Sequence, residues 1–170
     1  IGFGGRALDD EVKPKYINSS DSPVFHKQHV LYGYYESRQQ RANDWLVVEG
    51  YMDVIALQQY GIAGAVATLG TASNTEHLNI LFKQNNRITI AFDGDVAGQK
   101  AARRTLEIAL PLLNDGRELK FFVVPNDQLN LERIYIVRQL AFPNELGLEC
   151  NLTPVRHTND LHLPNVVLNL

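Results

Sequence analysis

Apolar residues follow two rhythms along this chain. Trp45 to Val48, Ala63 to Thr68, Arg87 to Phe92 and Leu119 to Val124 are short runs rich in β-branched or aromatic side chains and read as strands. Between them the spacing becomes helical. Asp53 to Tyr60 is a helix closed by Gly61, and Asn74 or Thr75 caps a helix with Leu78, Leu81 and Phe82 on one face. Ala97 to Leu113 is a longer helix carrying Ala101, Leu106, Ala109, Leu110 and Leu113. Asn114-Asp115-Gly116 turns the chain, and Pro125 stops the last strand. Strand and helix in alternation predict right-handed crossovers, hence an α/β fold with a roughly four-stranded, mostly parallel sheet flanked by helices.

The two ends break this rhythm. Residues 1–44 hold Gly2-Phe3-Gly4-Gly5-Arg6, Lys13-Pro14-Lys15-Tyr16, Phe25-His26-Lys27 and Tyr32-Gly33-Tyr34-Tyr35, a basic and aromatic text broken by turn formers. They predict a loop-rich module docked on the sheet. Leu131, Ile134, Val137 and Leu140 fit one more helix, but residues 129–170 otherwise lack periodicity and are expected to form a poorly ordered tail. The division expected is therefore 1–44, 45–128 and 129–170.

At 170 residues, with 45% apolar and 21% charged residues, the chain can bury a real core. A net charge of −3 gives no global basic signal, so any nucleic-acid contact must rest on a local patch. The lone Cys150 rules out an internal disulfide and fits a reducing compartment. No apolar run reaches the roughly 18 residues of a membrane span, and nothing resembles a signal sequence. The chain opens on Ile1 without an initiator Met and reads as a piece of a longer protein.

The candidate chemistry lies where two strands stop. Trp45 to Val48 runs into Glu49-Gly50, and Ile88 to Phe92 runs into Asp93-Gly94-Asp95. Acids at strand ends lie along the carboxyl edge of a parallel sheet, where open α/β folds bind ligands. Neighbouring strands are about 4.8 Å apart, so Glu49, Asp93 and Asp95 can converge, and clustered carboxylates favour a cation. We read them as a Mg²⁺ site. The competing reading is that the same acids cap helices. Asp53, at the start of a helix, suits either a cap or support for the metal ligands.

Other signals are weaker. Gly70-Thr71 can bring backbone N–H groups to phosphate but equally makes a plain turn. Gly2-Phe3-Gly4-Gly5 lacks the third glycine and the strand–helix frame of a dinucleotide fingerprint. Arg6, Lys13, Lys15 and Lys27 gain interest from Tyr16 and Phe25 beside them, because single strands and nucleotides are held by phosphate contacts plus base stacking. Cys150, His157 and His162 fall short of a four-ligand zinc set, and no Ser-His-Asp or Cys-His arrangement is legible.

Glu49-Gly50-Tyr51-Met52-Asp53, Leu69-Gly70-Thr71 and Phe92-Asp93-Gly94-Asp95 with Ala97-Gly98 closely resemble the Toprim fold of bacterial DNA primases. Ile1 to Arg6, Pro14 to Ser19, Phe25-His26-Lys27 and Leu31-Tyr32-Gly33 resemble the primase segment leading into that fold. The resemblance covers roughly residues 1 to 128. It implies a Toprim-like domain at 45–128, preceded at 1–44 by the end of the N-terminal polymerase subdomain. It implies synthesis of short RNA primers on single-stranded DNA during replication, with Glu49, Asp93 and Asp95 as catalytic, Mg²⁺- or Mn²⁺-binding acids. Arg6, Lys15, Asn18 and Lys27 match the family's nucleotide- and strand-binding positions.

The implied partners are single-stranded DNA template, RNA primer and nucleoside triphosphates, in the bacterial cytoplasm, with no membrane. The family's zinc-binding and helicase-docking domains are not legible here. The text departs from the family twice. Ser20-Asp21-Ser22 stands where Pro-Glu-Thr is usual, and Leu129-Asn130-Leu131 stands where Asp-Pro-Asp is expected. The second departure removes two acids and keeps two alternatives open: a non-catalytic remnant that binds nucleic acid or nucleotide, and another Toprim enzyme such as a nuclease or topoisomerase. A phospho-receiver domain also clusters acids at strand ends, but the basic-aromatic leader argues against it.

Overall fold

All four residues of Trp45–Val48 are buried, as a strand covered on both faces requires. This strand, β4, is the middle of the sheet. The computed structural model describes residues 1–124 apart from positions 10, 15, 70, 71 and 115. In chain order the elements are β1 (Gly4–Arg6), β2 (Tyr16–Asn18), β3 (Leu31–Tyr32), α1 (Tyr34–Gln39), β4, α2 (Tyr51–Gln59), β5 (Ala65–Thr68), α3 (Thr75–Phe82), β6 (Arg87–Asp93), α4 (Val96–Ala109) and β7 (Glu118–Val124).

β1 and β2 pair antiparallel by themselves, with Arg6 opposite Tyr16 and Gly4 opposite Asn18. The other strands form one sheet in the order β3-β5-β4-β6-β7. β5, β4, β6 and β7 run parallel, and β3 closes one edge antiparallel.

The sheet therefore has the four expected strands and a fifth. Leu31 and Tyr32 pair with Thr68 and Ala67, a contact too short to leave a periodic signal. The leader, expected to be loop-rich, contributes three short strands and one helix. The helix expected over 97–113 ends at Ala109. Pro111 has no N–H to continue the ladder, and Leu110–Leu112 tightens into a 3-10 turn. The helix expected around 131–140 and the whole of 129–170 lie outside the described residues.

Alternation along β4 sorts the core into two layers. Trp45 and Val47 face α3 and α4 with Leu78, Leu81, Phe82, Ile88 and Ala102. Leu46 and Val48 face α2 with Val54, Leu57, Ala65 and Ala67. Each large side chain buried here contributes about 1.5–3 kcal/mol relative to exposure. Trp45 also donates its indole N–H to the Leu81 carbonyl at 3.0 Å and stacks on Tyr34 at 5.3 Å, which fixes α1 and α3 against the sheet.

The crossover pattern positions the site. From β4 the chain passes through α2 to β5 on one side, then returns through α3 to β6 on the other side of β4. The chain thus changes direction between β4 and β6, and open α/β sheets bind ligands beyond the carboxyl ends at such a point.

Candidate metal and nucleic-acid site

Val48 lies opposite Ala91 in the β4–β6 register, so Glu49 leaves β4 level with the last residues of β6. Its Oε1 accepts a hydrogen bond from the Asp93 backbone N–H at 2.9 Å. Asp95 caps α4, its Oδ1 accepting from the Gly98 N–H at 2.7 Å. Asp53 Oδ2 accepts from the Gly50 N–H at 3.2 Å, which closes the entry to α2. The capping reading is thus realised at Asp95, and Asp53 holds the turn between β4 and α2.

The first turn of α4 is pressed onto the strand ends, and only glycine permits that approach. A Cβ on Gly98 would overlap the Asp93 carbonyl oxygen and stand 2.6 Å from Glu49 Oε1. The Asp-Gly-Asp text therefore works together with Gly98, three residues beyond it.

Burial raises the Glu49 pKa above its ordinary 4.5, although the side chain still reaches solvent. The Asp93 N–H opposes this rise, while the charges of Asp93, Asp95 and Asp53 add to it. Hard carboxylate oxygens of this kind suit Mg²⁺ or Mn²⁺. Among the described residues, however, no three acid, His or Cys side chains stand close enough to form a ready metal-ligand group. Glu49 and Asp95 each give an oxygen to a backbone N–H instead.

Beside this edge the β1–β2 hairpin faces the start of α2 across a cleft of about 380 Å³, lined in part by Arg6, Asn18, Phe25, Tyr32, Tyr51 and Met52. The Arg6 guanidinium lies 5.8 Å from the Tyr16 ring centroid. Tyr51 packs edge-on to Tyr16 at 5.5 Å and tilted against Tyr32 at 5.6 Å. Among the described residues, Asn18 Oδ1 and the Tyr51 hydroxyl are buried there without hydrogen-bond partners. Burial raises the Tyr51 pKa, Tyr16 and Tyr32 add to the rise, and Arg6 opposes it. Gly4 sits between the two orphaned groups, since a Cβ there would meet Asn18 Oδ1 at 3.2 Å and the Tyr51 ring at 3.3 Å.

Lys27 opens a 3-10 turn, Lys27–His29, that leads into β3. Leu31 pairs with Thr68, the last residue of β5, so this turn reaches the same carboxyl edge as Glu49 and Asp93. Of the residues expected to act, Glu49, Asp93, Asp95, Arg6, Asn18 and Lys27 border one edge of the sheet and the cleft beside it. Lys15, like Gly70-Thr71 and the Cys150, His157 and His162 set, lies outside the described residues. Tyr51 is the residue that sequence patterning passes over. Its one signal is an aromatic directly after the Gly that ends the first acidic strand.

The Toprim domain family matches residues 43–122, and the DNA primase catalytic core, N-terminal domain, matches residues 1–38. The DNA primase of Escherichia coli (strain K12) is 52% identical over 130 residues, covering 75% of this chain and 22% of that protein. The DNA primase of Pseudomonas aeruginosa is 55% identical over 130 residues, covering 75% of this chain and 19% of that one. The chain thus spans about a fifth of the length of these curated relatives. Among solved structures, a DnaG primase catalytic domain bound to single-stranded DNA superposes with a TM-score of 0.73 at 45% identity, over 86% of this chain and 47% of that one.

Proposed function

This chain belongs to the DNA primase family, and from that premise we propose that it is part of a DNA-directed RNA polymerase core that lays short RNA primers on single-stranded DNA. The observation that carries the proposal is the meeting of Glu49 and Asp93 at the β4–β6 switch point, beside a cleft bearing Arg6, Asn18 and Tyr51.

Glu49, Asp93 and Asp95 are the residues that would hold Mg²⁺ or Mn²⁺. When bound, such an ion neutralises charge on a reacting phosphate and lowers the pKa of an attacking hydroxyl. The chain's own side chains do the rest. Arg6 and Lys27 supply positive charge for phosphates, and Asn18 and the Tyr51 hydroxyl offer unspent hydrogen-bonding capacity at the cleft. Aromatic rings at Tyr16, Tyr32 and Tyr51 give apolar faces of the kind on which bases stack. Single-stranded template, RNA primer and nucleoside triphosphates are the partners this arrangement suits, and Lys15 joins Arg6 and Lys27 by its position in the matching sequence. By the resemblance, a replicative helicase would dock through a family domain that is not legible in this sequence.

Leu129 and Leu131 stand where the family carries acids. With fewer carboxylates to recruit a second ion, the chain alone should bind metal and nucleotide weakly and make little primer. The loss of those two acids also supports a second reading, a remnant that binds nucleic acid or nucleotide without turnover.

One measurement tests the nucleic-acid contact that both readings share, and a second separates them. Binding of a labelled single-stranded oligodeoxynucleotide should weaken in Lys27→Ala and in Arg6→Ala, with a shallower salt dependence in each. Unchanged affinity and slope in both would remove the nucleic-acid assignment. Template-dependent ribonucleotide incorporation that rises in Leu129→Asp/Leu131→Asp and disappears in Asp93→Asn supports the polymerase. Metal-dependent strand cleavage in its place would support a nuclease.

A further inference from the structure

We infer that Asn74 is a positioning residue that holds Lys27 at the edge of the site by clamping the Lys27–His29 turn onto the start of α3.

Asn74 uses both ends of its amide. Oδ1 accepts from the His77 N–H at 2.8 Å, capping α3, and Nδ2 donates to the Gln28 carbonyl at 2.8 Å. The amide orientation is unambiguous, because exchanging O and N would set donor against donor and acceptor against acceptor. One side chain therefore joins a helix N-terminus to a turn 46 residues earlier in the chain.

That turn needs an external anchor. It is three residues long, and His26 at its start makes no side-chain cap. A single 3-10 turn has too few hydrogen bonds to persist alone. Besides Asn74, other side chains brace it. His29 Nδ1 meets Glu76 Oε2 at 2.5 Å, and the Lys27 N–H donates to Asp21 Oδ1 at 3.3 Å. Asn74 and Glu76 thus both brace it from the start of α3, which itself lies at the carboxyl edge. The buried ring of His77 lies in this seam, near His29 and the Lys27 backbone.

The consequence concerns ordering. A lysine on a free loop must lose conformational freedom when it binds phosphate, whereas a lysine on a clamped turn has lost much of it beforehand. Asn74 touches no ligand in this scheme and acts only through Lys27. The inference rests on Lys27 being a nucleic-acid contact.

The test is a double-mutant cycle on the full chain, with a labelled single-stranded oligodeoxynucleotide as probe and affinity measured over a salt series. Asn74→Ser keeps a good helix cap but is too short to reach Gln28. It should melt close to the parent, bind about threefold to tenfold more weakly, and have no further effect once Lys27→Ala is present. Glu76→Ala removes another of these braces without touching the cap. It also removes a negative charge, which alone would tighten binding, so Lys27-dependent weakening would point to the clamp even if Asn74→Ser lowered stability. Losses that add fully to Lys27→Ala, or no loss in either variant, overturn the inference while leaving Lys27 as a contact. If Lys27→Ala itself binds like the parent, the contact and the clamp both fall.

Discussion

Glu49 Oε1 accepts a hydrogen bond from the Asp93 N–H at 2.9 Å, so a carboxylate ties the end of β4 to the end of β6. Burial, with the charges of Asp93, Asp95 and Asp53, outweighs this bond and keeps the Glu49 pKa above 4.5. A raised carboxyl pKa means that the fold favours the protonated form. The penalty is absent below the ordinary value and grows as pH rises toward and through the raised one. At neutral pH in chelating buffer, Glu49→Gln should therefore raise the melting temperature, since Gln keeps an acceptor for Asp93. Calorimetric titration of Mg²⁺ or Mn²⁺ should show weaker binding in the same variant. Identical melting and identical metal affinity would rule out the charge cluster.

Asp95 serves as the α4 cap and as an acid of the site, and two substitutions separate these roles. Asp95→Asn retains a good cap and loses the charge, whereas Asp95→Ala loses both. Denaturant unfolding without metal should put Ala about 1 kcal/mol below the parent (range 0.5–2) and Asn close to it. Metal affinity should fall in both. If Asn binds metal as the parent does, Asp95 is a cap alone.

Gly98→Ala tests the close approach of α4 to the strand ends. A methyl group there overlaps the Asp93 carbonyl oxygen, and backbone cannot yield as a flexible side chain does. We expect a loss of about 1–3 kcal/mol together with weaker metal binding. A glycine-to-alanine change inside a helix otherwise stabilises, so an unchanged or raised midpoint would contradict the packing described.

His77 is buried, and burial lowers its pKa below the ordinary 6.5. Glu76 and a hydrogen bond with the Lys27 backbone oppose the shift, and His29 adds to it. The fold favours neutral imidazole, so stability should be full above about 6.5 and decline as pH falls from there toward the lowered value. His77→Leu should flatten this decline in thermal melts taken between neutral and mildly acidic pH. A decline of equal size in the variant would assign it to other groups.

Much of the sheet was legible because its strands are buried on both faces, and burial writes itself into composition. Trp45–Val48 is a continuous apolar run, Ile88 to Phe92 is interrupted only by Thr89, and the α3 face of Leu78, Leu81 and Phe82 repeats at helical spacing. Leu31–Tyr32 was not legible as a strand. Two residues carry no period, and they become a strand only because Thr68 and Ala67 present an open edge. Pro111 was visible in the text, yet that the helix would yield to a 3-10 turn at Leu110 depended on local hydrogen bonding.

In the site, residue types were legible and partnerships were not. Glu49, Asp93 and Asp95 announce themselves as acids at strand ends. Nothing linear says that Glu49 would accept from Asp93, that Gly98 must lack a side chain, or that Tyr51 would bury its hydroxyl close to Asn18. By itself, then, the sequence determined the alternation of strands and helices and the acids at the ends of two of the strands, because both follow from local hydrophobic spacing and chain order. Only the tertiary structure decided which residues meet. The crossover that puts β4 beside β6, and the amide of Asn74 reaching Gln28 46 residues away, depend on how distant segments pack, and no local preference encodes that.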